Sequence, residues 1–117
     1  MPAAHTITVD SLAPDQYGID IAVKVVNAIV SVELNDGAKT VRVYEHLVGD
    51  ATGCIILKSQ QDLAGVIRIT GGYTQVVDGY LRLVAAEGDK SIESIPDNSV
   101  SVLTQNNLSL TKLVRRV

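Results

Sequence analysis

Hydrophobic and polar residues alternate along much of the chain, in blocks that turn residues separate. The clearest block begins after Gly18, where Ile19, Ile21 and Val23 alternate with Asp20 and other residues. An alternation with a period of two is typical of a strand with one buried face. The pattern predicts five strands, at residues 19–34, 39–48, 54–58, 65–77 and 80–84.

The segments between these blocks are short and carry turn residues. Asn35-Asp36-Gly37 and Asp78-Gly79 are strong hairpin signals, and residues 49–53 supply another turn. The first strand is long enough that it must bend or coil, as a first barrel strand does. Gly71-Gly72 interrupts the fourth strand and predicts a bulge or a close backbone approach.

The ends of the chain predict short extensions around this core. Residues 1–18 are expected to form an extended lead-in that ends in a turn. Residues 91–95 are expected to extend the fifth strand, and Val100, Val102 and Leu103 a short extra strand. We therefore expect a single domain over residues 1–117, with its core at about residues 12–110.

Composition supports a globular protein with a β-branched core. The 117 residues are 46% hydrophobic and 20% charged, with no Trp, no Phe and four Tyr. Abundant Val and Ile favour strands over helices. The formal net charge of −3 argues against a strong non-specific nucleic-acid binder, although it leaves room for a local basic stripe.

Few residues in the sequence could act as catalytic groups or as metal ligands. Cys54 is the sole cysteine, so no intrachain disulfide can form, and a reducing compartment is favoured. His46 with Cys54 supplies two metal ligands where three or four are needed. No phosphate loop, nucleophile elbow or dinucleotide motif is present. Without a signal peptide or a long apolar segment, we expect an intracellular protein of the nucleus or cytoplasm with no membrane association, no cofactor, no metal and no enzymatic activity.

Three segments resemble a known family. Residues 41–57 (VRVYEHLVGDATGCIIL) and 72–83 (GYTQVVDGYLRL) resemble strands two to five of OB-fold proteins in the group of the SOSS B proteins and replication protein A. Residues 106–110 (NNLSL) are similar to the end of plant OB-fold-like proteins. The resemblance implies a five-stranded Greek-key OB-fold barrel with short terminal extensions, and single-stranded nucleic acid, DNA rather than RNA, as ligand.

The resemblance also implies where bases would stack. Tyr73 occupies the position of a stacking Tyr in the SOSS B proteins. Val77, Val84 and Gln60 fall at or near positions where those proteins carry aromatic residues. Three of four stacking positions therefore lack an aromatic ring, and each ring is worth roughly 1–3 kcal/mol per base.

Period-two alternation suggests one face that combines aromatic and basic side chains, as single-strand binding needs. If Leu81 and Leu83 point inward, then Tyr80 and Arg82 point outward. Tyr17, beside Gly18, is interpreted as structural. The candidate nucleic-acid-binding residues are Lys24, Arg42, Tyr44, Lys58, Tyr73, Tyr80 and Arg82.

A second function class stays open, namely a protein-interaction or scaffold module of a larger complex. The acidic balance and the apolar outer positions Ile56, Val77 and Val84 motivate it, since exposed apolar patches often mark partner sites. Partner proteins of such a complex or a homodimer formed through a strand edge would both fit.

Overall fold

Six strands occur in the part of the chain that a computed structural model describes, which comprises residues 7–37, 39–85, 92–96 and 101–110. One turn of 3-10 helix, Val9–Ser11, precedes them. The five strands predicted from alternation are confirmed. The six are β1 (Ile19–Asp36), β2 (Lys39–Asp50), β3 (Gly53–Ser59), β4 (Val66–Val77), β5 (Tyr80–Val84) and β6 (Ile92–Ile95).

The first five strands form a closed ring in the order β1-β2-β3-β5-β4, because β1 pairs with both β2 and β4. β3 and β5 run parallel, and the other neighbours in the ring are antiparallel. Residues 19–24 of β1 pair with β4, and residues 24–36 pair with β2. β1 thus closes the ring by pairing with both β2 and β4. The all-β prediction is confirmed.

The predicted bend of β1 comes from two bulges. The register between β1 and β2 shifts at Val26 and again at Ile29, which leaves each of them without a partner on β2. An extra residue in one strand bends it and increases its twist. Both bulges follow Lys24, the last residue of β1 that pairs with β4. The bend therefore carries β1 from β4 to β2.

The glycine pair in β4 also forms the predicted irregularity. The register between β1 and β4 shifts beside it. Gly71 has a φ of +70°, a conformation that costs glycine little, and its N–H donates to the Asp20 carboxylate at 2.9 Å. A Cβ at Gly72 would lie 3.2 Å from the carbonyl oxygen of Val84, so the backbones of β4 and β5 approach closely here.

The turns after β4 and after β2 follow their sequence signals. Asp78 and Gly79 both have positive φ, at 54° and 88°, as a two-residue turn between twisted strands requires. In the turn between β2 and β3, the Asp50 carboxylate accepts a hydrogen bond from Thr52 N at 2.8 Å and one from Val9 N at 3.0 Å. Asp50 therefore fixes its own turn and ties the lead-in segment to it.

The core fills the inside of the ring with aliphatic side chains. Every strand in the ring contributes at least one residue to it, and most are fully buried. Burying each such side chain stabilises the fold by roughly 1.5–3 kcal/mol. The core cluster comprises Val9, Leu12, Ile19, Ile21, Val23, Val48, Ile55, Leu57, Ile67, Ile69, Leu81 and Leu83.

Residues 101–110 pack beside the start of β3. Cys54 N donates to the carbonyl of Asn106, and Leu108 N donates to the carbonyl of Cys54, both at 2.9 Å. A Cβ at Gly53 would lie 2.8 Å from the Asn106 backbone oxygen, so only a glycine fits without displacing this segment.

Ser109, in residues 101–110 (the C-terminal segment), bridges the two parallel strands. Its Oγ accepts a hydrogen bond from Ile56 N at 2.9 Å and donates to the carbonyl of Leu81 at 2.5 Å. Ile56 is in register with Arg82, so in a regular parallel ladder its N–H would reach the Leu81 carbonyl directly. One buried hydroxyl thus joins β3 to β5 where they separate.

The remaining extensions differ in part from expectation. β6 pairs with residues 66–69 of β4 and continues along β4 from where β5 ends. It is therefore a separate strand, within the segment that was predicted to extend the fifth strand. The predicted strand at Val102 and Leu103 is wrong, because these residues are irregular and Leu103 N donates to the Asp50 carbonyl at 2.9 Å. Val100 lies outside the described residues.

Candidate nucleic-acid interface

The outer face of the ring carries a row of residues that crosses four strands. Lys58 of β3 is in register with Glu45 of β2 on one side and with Val84 of β5 on the other. Val84 is in turn in register with Tyr73 of β4. Because side chains in register across a sheet share a face, this row holds a cation and an aromatic ring on one surface.

Five of the seven candidate residues lie on this outer face. Tyr80 is in register with Val77, and Lys24 lies outside because its neighbour Val23 is fully buried in the core. The five, which we call the outer-face residues, are Lys24, Lys58, Tyr73, Tyr80 and Arg82.

The prediction that Arg42 and Tyr44 share this face is wrong. Tyr44 is in register with Ser59, next to the Glu45–Lys58 pair, and therefore lies on the opposite side of β2. His46 has the same parity and is buried at 1% exposure. The side of β2 that carries Arg42 and Tyr44 is thus the side that continues into the core.

Arg82 already has a carboxylate partner. Its Nη1 donates to Oε2 of Glu45, which reaches it across β3. The side chains are only 26% and 18% exposed, so the pair is partly shielded from water. Nε of Arg82 is buried with no hydrogen-bond partner among the described residues. A phosphate would therefore compete with Glu45 for this guanidinium.

The two lysines of the outer face are more available to a ligand. Within the described ranges, neither Lys24 nor Lys58 forms an ion pair. Lys58 also lines a shallow pocket of about 210 Å³ together with Val32, Val43 and Glu45. Among the candidate residues, the positive charge that this face offers a polyanion comes mainly from the two lysines.

Tyr73 is half-buried and does not stand alone. Its ring stacks with that of Tyr17, with centroids 6.2 Å apart and ring planes at 20°. Tyr17 is 76% exposed, and its interpretation as structural stays a prediction. The contact joins the lead-in segment to β4 over a long sequence separation, and alternation within one strand gives no signal for it.

Arg42 forms an ion pair on the other side of β2 from the outer-face row. Its Nη2 lies 2.8 Å from Oε1 of Glu33 across the β1–β2 hairpin, and both side chains are largely exposed. The hydrogen bond to Glu33 raises the pKa of the Arg42 guanidinium above its usual value. An exposed pair of this kind contributes little to stability.

His46 anchors the connection between β3 and β4 instead of forming a reactive site. Leu63 N donates to its Nε2 at 3.2 Å, and Asp62 Oδ1 lies 3.2 Å from the same atom. The Tyr44 ring stacks on it with centroids 6.1 Å apart. Across the described part of the chain, no three metal-ligating side chains cluster. Burial raises the pKa of the Cys54 thiol, which disfavours the reactive thiolate.

The apolar positions behind the protein-interaction alternative are less exposed than expected. Val84 is buried, and Ile56 and Val77 are half-buried. Four large aliphatic side chains with high exposure lie on the second half of β1, at Val26, Ile29, Val30 and Val32, each 40–48% exposed. The others among the described residues are Val76, Leu103 and Leu110.

Comparison with known proteins decides the family. The model of the family described as single-stranded DNA binding protein Ssb-like, OB fold, matches residues 12–87. The chain belongs to this family. The OB fold predicted from the sequence is thereby confirmed, and an Ssb-like OB-fold domain indicates nucleic-acid binding in general. Members of the family are binding proteins.

Two solved structures support the fold over most of the chain. A hypothetical protein from Arabidopsis thaliana, known from a solution structure, is 25% identical, with a TM-score of 0.80 over 99% of this chain and 90% of that protein. The OB domain of a Thermoplasma acidophilum protein is 25% identical, with a TM-score of 0.65 over 80% of this chain and 89% of that domain. No curated protein matches the chain.

The described residues contain no helix long and apolar enough to cross a membrane.

Proposed function

We propose that this domain binds single-stranded nucleic acid, DNA in preference to RNA, on the outer face of β3, β5 and β4. The observation that carries the proposal is the row in which Lys58 and Tyr73 share one surface, in a chain whose family is described as single-stranded-DNA binding. Lysine would contact phosphates while a base stacks on the tyrosine ring. Tyr80 extends the same face, whereas Lys24 lies on the outside of the ring at the other end of β4, opposite Val66.

The charge of this face favours modest affinity. Arg82 is neutralised by Glu45, and the chain carries a net charge of −3. Because each phosphate contact releases counterions, an interface with few available cations binds weakly and depends less on salt than a basic one. Stacking then supplies a larger share of the binding free energy.

The test is fluorescence anisotropy with labelled oligo-dT and oligo-U at low and moderate salt. Tyr73→Ala should weaken binding by roughly 5- to 100-fold, as expected for a lost stacking contact. Lys58→Gln should lower the slope of log affinity against log salt by about 1. A preference for oligo-U would contradict the DNA assignment.

The chain offers matched controls on the other side of β2. Tyr44→Ala and Arg42→Gln change the same residue types outside the proposed interface, and both should leave affinity and salt dependence unchanged. Equal losses for Tyr44→Ala and Tyr73→Ala would place the ligand elsewhere. A wild-type protein that binds neither oligonucleotide at low salt would refute the proposal.

The second candidate is a protein-interaction module, and the exposed row on β1 favours it. Within the described residues, β1 pairs beyond Val25 with β2 only, so its other edge offers unpaired backbone beside exposed aliphatic side chains. Such an edge can pair with a second copy of the chain. Sedimentation velocity over a range of concentrations tests this: a dimer that Ile29→Lys dissociates would support it, and a monomer at all concentrations would exclude it.

A further inference from the structure

Tyr17 carries a large aromatic ring that is mostly exposed to solvent. At 76% exposure it has the most exposed ring among the tyrosines of the described chain, and it contributes little to the core. Its ring nevertheless lies in a defined place, stacked with Tyr73 at a centroid distance of 6.2 Å and an interplanar angle of 20°. An exposed ring in a fixed position presents a flat apolar surface to a ligand.

Hydrogen bonds to one buried threonine of β4 fix that position. Gln16 N donates to Thr74 Oγ1 at 3.0 Å, and Thr74 N donates to the carbonyl of Gln16 at 3.0 Å. Thr74 Oγ1 in turn donates to the carbonyl of Ala13 at 2.7 Å. Thr74 is 5% exposed, so the backbone beside Tyr17 is attached to the interior of the sheet.

The turn on either side of Tyr17 is also well defined. Asp15 and Gly18 have positive φ, at 61° and 64°, and Gln16 Oε1 accepts a hydrogen bond from Ala13 N at 3.0 Å. The turn fixes the backbone and the contact with Tyr73 positions the ring, so the side chain loses less conformational entropy when it binds a ligand. The ring is therefore preorganised for stacking.

We propose that Tyr17 and Tyr73 together form a two-ring platform on which a nucleobase stacks. This inference rests on the proposed function and adds Tyr17, from outside β3, β5 and β4, to that interface. A nucleobase fits the platform because aromatic rings prefer offset-stacked partners. The row from Lys58 through Val84 to Tyr73 places the platform at the β4 end of the interface.

The row also sets the spacing between the cation and the platform in the proposed interface. It crosses the sheet roughly perpendicular to the strands, and Lys58 and Tyr73 lie two strand spacings apart, or about 10 Å. Tyr17 continues this line beyond β4. The platform therefore binds a base next to the nucleotide whose phosphate contacts Lys58, or one further along.

The experiment measures the affinity of Tyr17→Ala and Tyr17→Phe for a labelled oligo-dT of about 12 nucleotides, within the site sizes of OB folds. Tyr17→Ala should weaken binding by roughly 5- to 100-fold and leave the salt slope unchanged, since stacking involves no phosphate. Tyr17→Phe keeps the ring and should bind within about 2-fold of wild type.

Two controls separate stacking from an effect on the fold. Leu103→Ala removes an exposed aliphatic side chain beside Asp50, at the other end of the β2–β3 ladder from Lys58, and should bind as wild type does. An abasic oligonucleotide offers no base to stack, so wild type and Tyr17→Ala should bind it equally.

The outcomes distinguish this inference from the proposed function. If wild type binds and Tyr73→Ala weakens binding while Tyr17→Ala does not, the proposed function stands and the two-ring platform is refuted. The platform would also be refuted if Tyr17→Ala lost as much affinity for the abasic strand, relative to wild type, as it loses for oligo-dT. If wild type binds neither DNA nor RNA, both proposals fail.

Discussion

The two halves of β1 have similar sequences and opposite environments. In the first half, Ile19, Ile21 and Val23 are at most 3% exposed and pack in the core against β4. In the second half, Val30 and Val32 are 40% and 42% exposed. Residue type does not separate the halves, since both are rich in β-branched residues. Val30 and Val32 are in register with Glu45 and Val43 of β2, so they lie on the outer face of the ring, whereas Val23 faces the core.

This difference shows what alternation along a strand can and cannot predict. Alternation indicates that successive side chains point to opposite faces. Whether another part of the molecule covers a face depends on the path of the strand after each bulge. The aliphatic residues of the second half therefore favour the strand conformation and its coiling. They also leave a surface open to a partner.

The sharpest test of this comparison replaces the same residue type in each half. Val23→Ala removes two methyl groups from a fully buried site and should lower the free energy of unfolding by about 2–3 kcal/mol. Val32→Ala, at 42% exposure, should lower it by about 0.5 kcal/mol or less. Urea unfolding measures both, and equal losses would mean that the second half is covered in solution.

A second test concerns the seam between β3 and β5, on which closure of the ring depends. Ser109→Ala removes the hydroxyl that joins Ile56 N to the Leu81 carbonyl. Buried backbone groups that lose a partner destabilise a fold by about 1–3 kcal/mol, and urea unfolding should show a loss in that range. The exposed Ser101, in the same segment, supplies the control Ser101→Ala. If both variants match wild type, β3 and β5 bond directly once the hydroxyl is gone.

Much of the fold followed from local signals in the sequence. Alternation located all five strands of the ring, and the Asp78-Gly79 and Gly71-Gly72 pairs predicted a turn and a bulge that the structure has. Each of these features depends on residues close together in the chain. The path of the C-terminal segment and the role of Ser109 depend on contacts with distant strands, and sequence alternation carries no information about them.

The candidate site was predicted less well, although one signal was available. Asp50 and Gly53 flank a two-residue turn, and such a turn fixes the register of its hairpin. Five residues before Asp50 is Glu45, and five residues after Gly53 is Lys58, so this turn places Glu45 opposite Lys58. Tyr44, the neighbour of Glu45, must then point to the other face. The stacking of Tyr17 on Tyr73 had no comparable signal, because the lead-in segment reaches β4 through tertiary hydrogen bonds.

The smallest expected effect concerns Cys54, a buried residue covered by the C-terminal segment. Burial raises the pKa of its thiol in the folded state, whereas in the unfolded chain the thiol ionises near its ordinary pKa of about 8.5. The neutral thiol therefore contributes stability that is fully present below about pH 8.5 and is lost as the pH rises through the folded-state pKa. Above the folded-state pKa the thiol is ionised in both the folded and the unfolded state, so it no longer changes the free energy of unfolding with pH.

Urea unfolding of wild type and Cys54→Ala between pH 7 and pH 10 measures this contribution. The substitution itself lowers stability at every pH, so the informative quantity is the difference between the two proteins as the pH changes. That difference should shrink above about pH 8.5, because only wild type loses the contribution of the thiol. A constant difference up to pH 10 would mean that Cys54 is open to water in solution, and that the C-terminal segment covers β3 less tightly than its hydrogen bonds indicate.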